Sequence, residues 1–378
     1  MSYKLLAFII LFISSSVFGQ QKKLDILLAK WEAYKHAKNP KSDTSIVNVL
    51  NSISTEYIEN TSDSSIIFAN KALDLAQSLQ YHKGIATAYA NIAKRHYTKS
   101  NYDLSLKFIL MSLNICTQQN DKAGMANAYN IVGLIYLAQK KTNLALKELY
   151  KAVSINKSIN RLDRLSANYI NLGLTYFQAS KLDSAIHYFV ISKTISNQVN
   201  SQQLIAMADN HLGDCYLEQG KVDTAISSYK SVLQNSQYQN DWENSFAFTG
   251  LAKCYYQQKK FKEAIENSQK GLLLSQKTNT KWDIERALKI LHESYSAVGD
   301  FKNAYHYLLM NKVYSDSIFN ESMQKKIDVL YFKQKQQENK IQLEKKQMLE
   351  EKEMFIKYML ATIIVIILLV LVNKALYN

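Results

Sequence analysis

The sequence predicts an all-α fold, a solenoid of stacked helix pairs, and three observations carry that prediction. A small residue after an aliphatic one recurs as Ala93, Gly133, Gly173, Gly213 and Ala252, at intervals of 40, 40, 40 and 39 residues. A second small residue follows each of them twelve positions later, as Ser105, Ala145, Ala185, Ala225 and Ala264. Ten glycines and one proline in 378 residues are too few for a turn-rich β fold and favour helix. A fixed period of this length marks units that cannot bury their apolar faces alone and do so by stacking.

The third unit shows how the pattern becomes two helices. Tyr169, Leu172, Gly173, Tyr176 and Phe177 fall at i, i+3, i+4, i+7 and i+8, one face of a helix. Ala179, Ser180 and Lys181 form a short polar turn, and Ala185, Ile186, Phe189 and Val190 repeat the spacing on a second helix. Small residues at the two slots let antiparallel helices approach closely. Tyr136, Tyr176, Tyr216, Tyr255 and Tyr295 are expected as wedges between units. A sixth unit keeps Leu291, Tyr295 and Ala304 but places His292 in the small slot.

The combination Leu172-Gly173, Tyr176, Ala185 and Phe189 resembles the tetratricopeptide repeat. The resemblance covers six units over residues 85–323. A degenerate unit precedes them at 45–84, where Ile53 and Ser65 keep the twelve-residue spacing. It implies a right-handed superhelical solenoid. Two features depart from the family. The unit is longer than the family's 34 residues, with the surplus expected in the second helix and its outgoing loop, and the helix-ending proline is missing, since Pro40 stands alone.

The resemblance also implies a concave groove, lined by first helices, that holds a peptide or protein. The family's groove positions fall on Lys94 and Tyr97 in unit one, then on Asn127, Asn130 and Leu134 in unit two. They continue as Ile170, Leu174 and Phe177, then Met207, Asn210, Asp214 and Leu217, and finally Phe246, Lys253 and Tyr256. Asparagine amides both donate to and accept from an extended backbone, and apolar neighbours take side chains. Packing between units is the competing role for the same positions.

The remaining segments follow in order. Residues 1–19 have the form of a secretory signal: Lys4, an apolar run over 5–13, then Val17, Phe18 and Gly19 before a cleavage point at Gln20. An uncleaved anchor helix is the alternative. Residues 20–44 hold a lead helix with Leu24, Ile26, Leu27, Trp31 and Tyr34 on one face, ended by Pro40. The solenoid is expected over 45–323. In 324–357, Ile327, Gln334, Ile341, Met348 and Phe355 fall seven apart, while the other seam turns polar after Leu330. That suits a long helix with weak coiled-coil character, able to pair two copies, or a solvated single helix.

Residues 358–373 are read as a transmembrane helix before a short tail, 374–378. The uncharged run 358–372 would span about 22 Å at the helical rise, short of a ~30 Å hydrocarbon core, with Lys357 and Lys374 placed to snorkel. Together with the signal this predicts a single-pass protein of a bacterial inner membrane with its repeats in the periplasm. The lysines before the span favour the opposite topology, a tail anchor with cytoplasmic repeats. In layout the chain resembles the sensing half of bacterial membrane histidine kinases that contain such repeats, without the kinase.

Composition narrows the chemistry. Net charge is +14, yet the lysines are dispersed and no arginine-rich, aromatic-interleaved stretch occurs, so nucleic acid is not an expected partner. Cys116, Cys215 and Cys254 are too few and too scattered for a disulfide framework or a zinc site. No Gly-rich phosphate loop, HExxH or nucleophile elbow is present, so no catalytic residue, metal or cofactor is expected. The sequence around His292 fits a register position better than a phosphoacceptor. The expected function is non-catalytic binding of a peptide or protein by a membrane-anchored scaffold; the alternative is a sensor acting through a separate cytoplasmic regulator.

Overall fold

In a computed structural model the described residues are 23–36, 43–59, 63–317, 345–352 and 354–359. Among them there is helix and no strand. A lead helix, α1 (residues 23–36), is followed by α2 (Thr44–Glu59) and α3 (Ser64–Ser78). Then come α4 (His82–Thr98) with α5 (Tyr102–Gln118), α6 (Lys122–Ala138) with α7 (Thr142–Ser158), and α8 (Leu162–Gln178) with α9 (Leu182–Gln198). The series continues through α10 (Gln202–Glu218) and α11 (Val222–Gln234), α12 (Asp241–Gln257) and α13 (Phe261–Lys277), and α14 (Lys281–Ala297) with α15 (residues 301–317). Each helix packs on the one before and the one after. Each first helix also lies against the first helix of the next unit, which places the first helices on the inner side of the stack.

The period has a finer grain than the sequence suggested. Gln80, Ser100, Asn120, Lys140, Asn160, Ser180 and Asn200 all take positive φ, one every twenty residues, and Gly220 continues the series. At each, the following amide reaches back to the carbonyl five residues earlier, as Asn101 N–H does to His96 at 2.8 Å and Lys181 N–H to Tyr176 at 2.9 Å. This left-handed closure satisfies the last carbonyls of the helix. Most helices are therefore 17 residues long with three-residue turns. The residues beyond the family's usual length are shared between both helices, and not placed in the second helix and its loop as expected. Among the described residues an irregular junction follows α11, which has 13 residues and leads into the longer turn 235–240.

Packing rests on a pair of positions sixteen residues apart. The glycine slot of the first helix faces one large side chain of the second. A Cβ added to Gly133 would come within 2.6 Å of Leu149, one on Gly173 within 2.5 Å of Phe189, and one on Gly213 within 2.6 Å of Tyr229. Where the slot is alanine, the residue sixteen positions later is Ile109 after Ala93 and the small Ser268 after Ala252. The first unit inverts the pair, with Ile53 in the slot and Ala69 opposite; all of these alanine-slot and inverted-pair residues are fully buried. The same large residue also meets the next unit. Tyr229 lies against Gly250, Phe189 stacks on His211 at 5.4 Å, and Ser268 Oγ donates to the Ala287 carbonyl at 2.8 Å.

These residues are the fully buried wedges, and the tyrosines expected between units pack beside them. Tyr136, Tyr176, Tyr216, Tyr255 and Tyr295 are only half-buried at the margins of the same clusters. His292, in the last slot, places its Nδ1 3.1 Å from the Ala304 carbonyl. In α1, Leu24 is buried and Trp31 packs against the Leu50–Ala72–Ala88 cluster, but Ile26 is half exposed and lies off the packed face.

No helix among the described residues is long and apolar enough to cross a membrane. The expected signal (1–19), most of the expected coil (324–357) and all but the first two residues of the expected span (358–373) lie outside the described residues. The described parts of the coil region, 345–352 and 354–359, are helical and expose Met348 and Phe355.

The slot pairing is tested by Gly173→Ala. The added methyl meets the Phe189 ring, and the overpacking is expected to cost about 1–3 kcal/mol in urea unfolding despite alanine's better helix propensity. Adding Phe189→Leu should recover part of that loss, because Ala93 already pairs with an aliphatic residue.

Candidate functional site

The inner side of the first helices carries a polar pocket of about 320 Å³. Thr55 of α2, Thr87, Asn91 and Lys94 of α4, and Asn127 and Asn130 of α6 line it, and α8 contributes Arg164 and Asn168. Asn156 closes it from the end of α7, and Arg161 from the turn into α8. Ala86, Ala90, Ala123, Ala126 and Ala167 also line it, and their small side chains leave the space open. The lining holds three cations, Lys94, Arg161 and Arg164, against Asp121, which accepts from Gly124 N–H at 3.0 Å as a helix cap.

A chain of asparagines crosses the pocket between units. Asn91 Nδ2 donates to the Asn51 carbonyl at 2.9 Å. Asn156 Nδ2 donates to Asn168 Oδ1 at 2.7 Å, and Asn168 Nδ2 and Asn171 Nδ2 both donate to Asn130 Oδ1 at 2.8 Å. The Asn130 carbonyl is thereby saturated, and its NH2 group is the part left to meet a ligand. Among the described residues the Asn127 amide makes no hydrogen bond. Arg161 forks onto Asp163 at 3.2 Å from both Nε and Nη2, and Arg164 approaches the same carboxylate at 3.5 Å.

The residues expected in the groove fall into three groups. Lys94, Asn127 and Asn130 meet in the pocket. Leu174, Phe177 and Met207 gather around Ile170 in one apolar cluster between α8 and α10. Farther along, Asp214 accepts from Tyr229 Oη at 2.7 Å, and Phe246 lies under Arg286 at 4.6 Å. Lys253 pairs with Glu218 at 3.1 Å, Tyr256 packs on Phe261, Tyr97 on Tyr102, and Leu134 is half-buried beside the slot Gly133. Ile170, Asn210 and Leu217 are buried, so these three hold units together and present nothing to a ligand. Sequence reasoning missed Asn91, Asn156, Arg161, Arg164 and Asn168. The signal was available for Asn91 and Asn168, which fall two and five residues before the small slot, as Asn130 falls three before it.

Asn210 is spent on a buried carboxylate. Its Nδ2 donates to Glu243 Oε2 at 2.6 Å and to the Glu243 carbonyl at 3.1 Å, fixing α12 to α10 beside the irregular junction. Glu243 is 2% exposed. Burial pushes its carboxyl up to about 7; the Asn210 hydrogen bond opposes this and the Asp283 charge adds to it. Asp283, raised by the same cause, accepts from Trp242 Nε1 at 3.2 Å and faces Arg286 at 3.6 Å. Burial raises the Cys215 and Cys254 thiols to about 12, which fits two small core residues. No group of three or more His, Cys, Asp or Glu side chains placed to hold a metal occurs among the described residues.

Family models described as tetratricopeptide repeat match residues 126–159 and 204–277. The chain carries tetratricopeptide repeats. Its repeats share their fold with several solved structures at low identity. A Rap protein complexed with Competence and Sporulation Factor is 16% identical, with a TM-score of 0.57 over 73% of this chain and 81% of that one. NprR in complex with its cognate peptide NprX is 15% identical, with a TM-score of 0.53 over 82% and 89%. A signal-transduction ATPase from Pyrococcus horikoshii with a tetratricopeptide-repeat sensor is 16% identical, with a TM-score of 0.55 over 76% and 44%. No curated protein matches the sequence.

The Glu243 carboxyl gives the repeats a pH dependence of definite sign. Its folded value, about 7, lies above the ordinary 4.5, so the folded chain holds a proton that the unfolded chain has released. The stability it contributes is full below about pH 4.5 and is lost as pH rises through 7. Glu243→Gln should flatten this fall and leave the variant more stable than the parent at pH 8, on the order of 1–3 kcal/mol. Urea midpoints at pH 5 and pH 8 measure it.

Proposed function

We propose that the repeats bind an extended peptide segment, seated in the pocket between α4, α6 and α8. The observation that carries this reading is the pocket's lining: asparagine amides and three cations among alanines. Amides at Asn127 and Asn130 suit the alternating donors and acceptors of an extended backbone. Leu174, Phe177 and Met207 continue the same inner side with apolar surface for side chains. The excess of cations in the lining favours a segment carrying a carboxylate. Two proteins of the same fold support the reading, one solved with Competence and Sporulation Factor and one with its cognate peptide. The reading includes a tether: the apolar run 358–373 anchors the chain, and the signal at 1–19 places the repeats in the periplasm.

A displayed random peptide library, selected on the purified repeat protein, tests the assignment. Selection should enrich a family of sequences whose affinity falls at least tenfold on Asn130→Ala and again on Arg164→Ala, with circular dichroism unchanged. Glutamate at Leu174 or Phe177 should alter which sequences are enriched. Enrichment indifferent to both pocket substitutions would remove the pocket from the binding site.

A further inference from the structure

Glu243 puts a carboxyl where the preceding units have none. It lies nine residues before the slot Ala252, and the residues nine before Ala93, Gly133, Gly173 and Gly213 are Gly84, Gly124, Arg164 and Leu204. The amide that meets it is a device the stack uses elsewhere. Asn51 Nδ2 donates to the Gly84 carbonyl at 3.2 Å, as Asn210 Nδ2 donates to the Glu243 carbonyl at 3.1 Å. That backbone contact needs no carboxyl, so the carboxyl is an addition at α12. It sits beside the irregular junction. Between Gly220 and Lys259 the series of left-handed closures skips a place, and the turn 235–240 leads straight into the first residues of α12.

The two side chains are both buried, and Asn210 Nδ2 donates to Glu243 Oε2 at 2.6 Å. The second oxygen of each group, Glu243 Oε1 and Asn210 Oδ1, is buried without a hydrogen-bond partner among the described residues. The amide cannot be turned over to relieve this, because its oxygen would then face the two acceptors that Nδ2 now serves. An ionised Glu243 therefore leaves two buried acceptors unpaired, and native interiors rarely carry such groups. One proton on Oε1 gives both oxygens a hydrogen bond. The neighbouring carboxyl, Asp283, has other donors: Trp242 Nε1 reaches it at 3.2 Å and Arg286 faces it at 3.6 Å. Asp209 is taken by Lys193 at 2.6 Å, Asp214 by Tyr229 Oη at 2.7 Å, and Asp241 by Lys277 at 2.6 Å. Tyr238 of the turn lies within the field of the Glu243 charge, and His211 lies edge-on to Phe246 at 5.6 Å within the fields of Asp214 and Arg286. Of the carboxyls in this group, Glu243 is the one with a single side-chain amide to meet it, so the proton belongs there.

We infer that the folded chain holds a proton on Glu243 Oε1 and donates it to Asn210 Oδ1, closing an acid–amide pair that clasps the start of α12 to α10 and opens when the proton leaves to solvent. The clasp acts on one end of the helix. The far end of α12 is tied to the preceding unit by other bonds, Lys253 to Glu218 at 3.1 Å and Gln258 Nε2 to Asp223 at 2.9 Å. At the start, Asn240 caps α12 by accepting from the amides of Trp242 and Glu243, but this bond is local and does not reach α10. Loss of the proton thus frees the turn 235–240 and the first turn of α12 while the rest of the helix stays in place. The stack acquires a proton-sensitive joint on its inner side, at the place where its regular turn is missing.

Hydrogen exchange of the full chain in detergent, at pH 6 and pH 8.5 and corrected for the intrinsic rate, tests the joint. With the folded carboxyl titrating near 7 and an opened one near the ordinary 4.5, linkage makes opening of residues 235–245 about tenfold more frequent at the higher pH, with residues 250–258 unmoved. Glu243→Gln supplies the missing donor at every pH and should stay as protected at pH 8.5 as the parent is at pH 6. Infrared spectra of the parent at pH 6 should show the carbonyl stretch of a buried protonated carboxyl. That band should be absent from Glu243→Gln and move to higher frequency in Asn210→Ala. Exchange at 235–245 that rises equally in Glu243→Gln, a parent without the band at pH 6, or a band that Asn210→Ala leaves in place would each overturn the proposal. The parent and Glu243→Gln decide the matter even if Asn210→Ala folds poorly. The pocket between α4, α6 and α8 is unaffected by any of these results.

Discussion

Everything in this chain hangs on how closely two antiparallel helices approach at one position. The slot of the first helix and the residue sixteen positions later face each other, and the repeats fill the two positions differently. Glycine faces leucine, phenylalanine or tyrosine; alanine faces isoleucine or serine; in the first unit isoleucine faces alanine. Outside the Ala252–Ser268 unit, sequence drifts while the sum is roughly kept, which is how a packed interior tolerates substitution. Because the second-helix residue also reaches into the next unit, the same pairing sets both the angle within a pair and the spacing between pairs. The inner side is a product of that spacing, and so is the distance across which Asn130 and Asn168 meet.

The polar groups of the inner side divide by burial into two uses. Where the first helices leave room, beside alanines 86, 90, 123, 126 and 167, the Asn127 and Asn130 amides and the guanidinium groups stay accessible in a pocket. Where they close, around α10 and α12, a similar asparagine becomes a structural strut. Asn210 holds a carboxylate whose burial costs enough to shift its ionisation, beside a junction where the twenty-residue rhythm fails. Residue type alone does not separate the two uses. Asn130 and Asn210 occupy the same repeat position, eighty residues apart, and only the volume around them decides which one faces a ligand.

The ends of the stack follow from the same logic. A repeat array needs something to finish each terminal face, and α1 does so at the start with a buried leucine and a tryptophan. The last pair substitutes histidine in the slot, and among the described residues its Leu308 is half exposed.

By itself the sequence determined the class of fold, the number and register of the helix pairs, and the burial of the slot residues. Those depend on periodicity and on side-chain size, which are local and readable. It also pointed to Lys94, Asn127 and Asn130 as neighbours. It misjudged where the surplus residues of each unit go, because the left-handed turns at Gln80, Ser100, Lys140 and Ser180 use residues that carry no glycine signal. It placed tyrosines between units, where they lie half-buried, but did not show that the residue sixteen positions after the slot is the one sealed there. The tertiary structure alone decided which inner residues are open. Ile170, Asn210 and Leu217 were sealed, and Arg161 and Arg164 drawn in, by the spacing between helices that are forty residues apart in the chain and adjacent only once stacked.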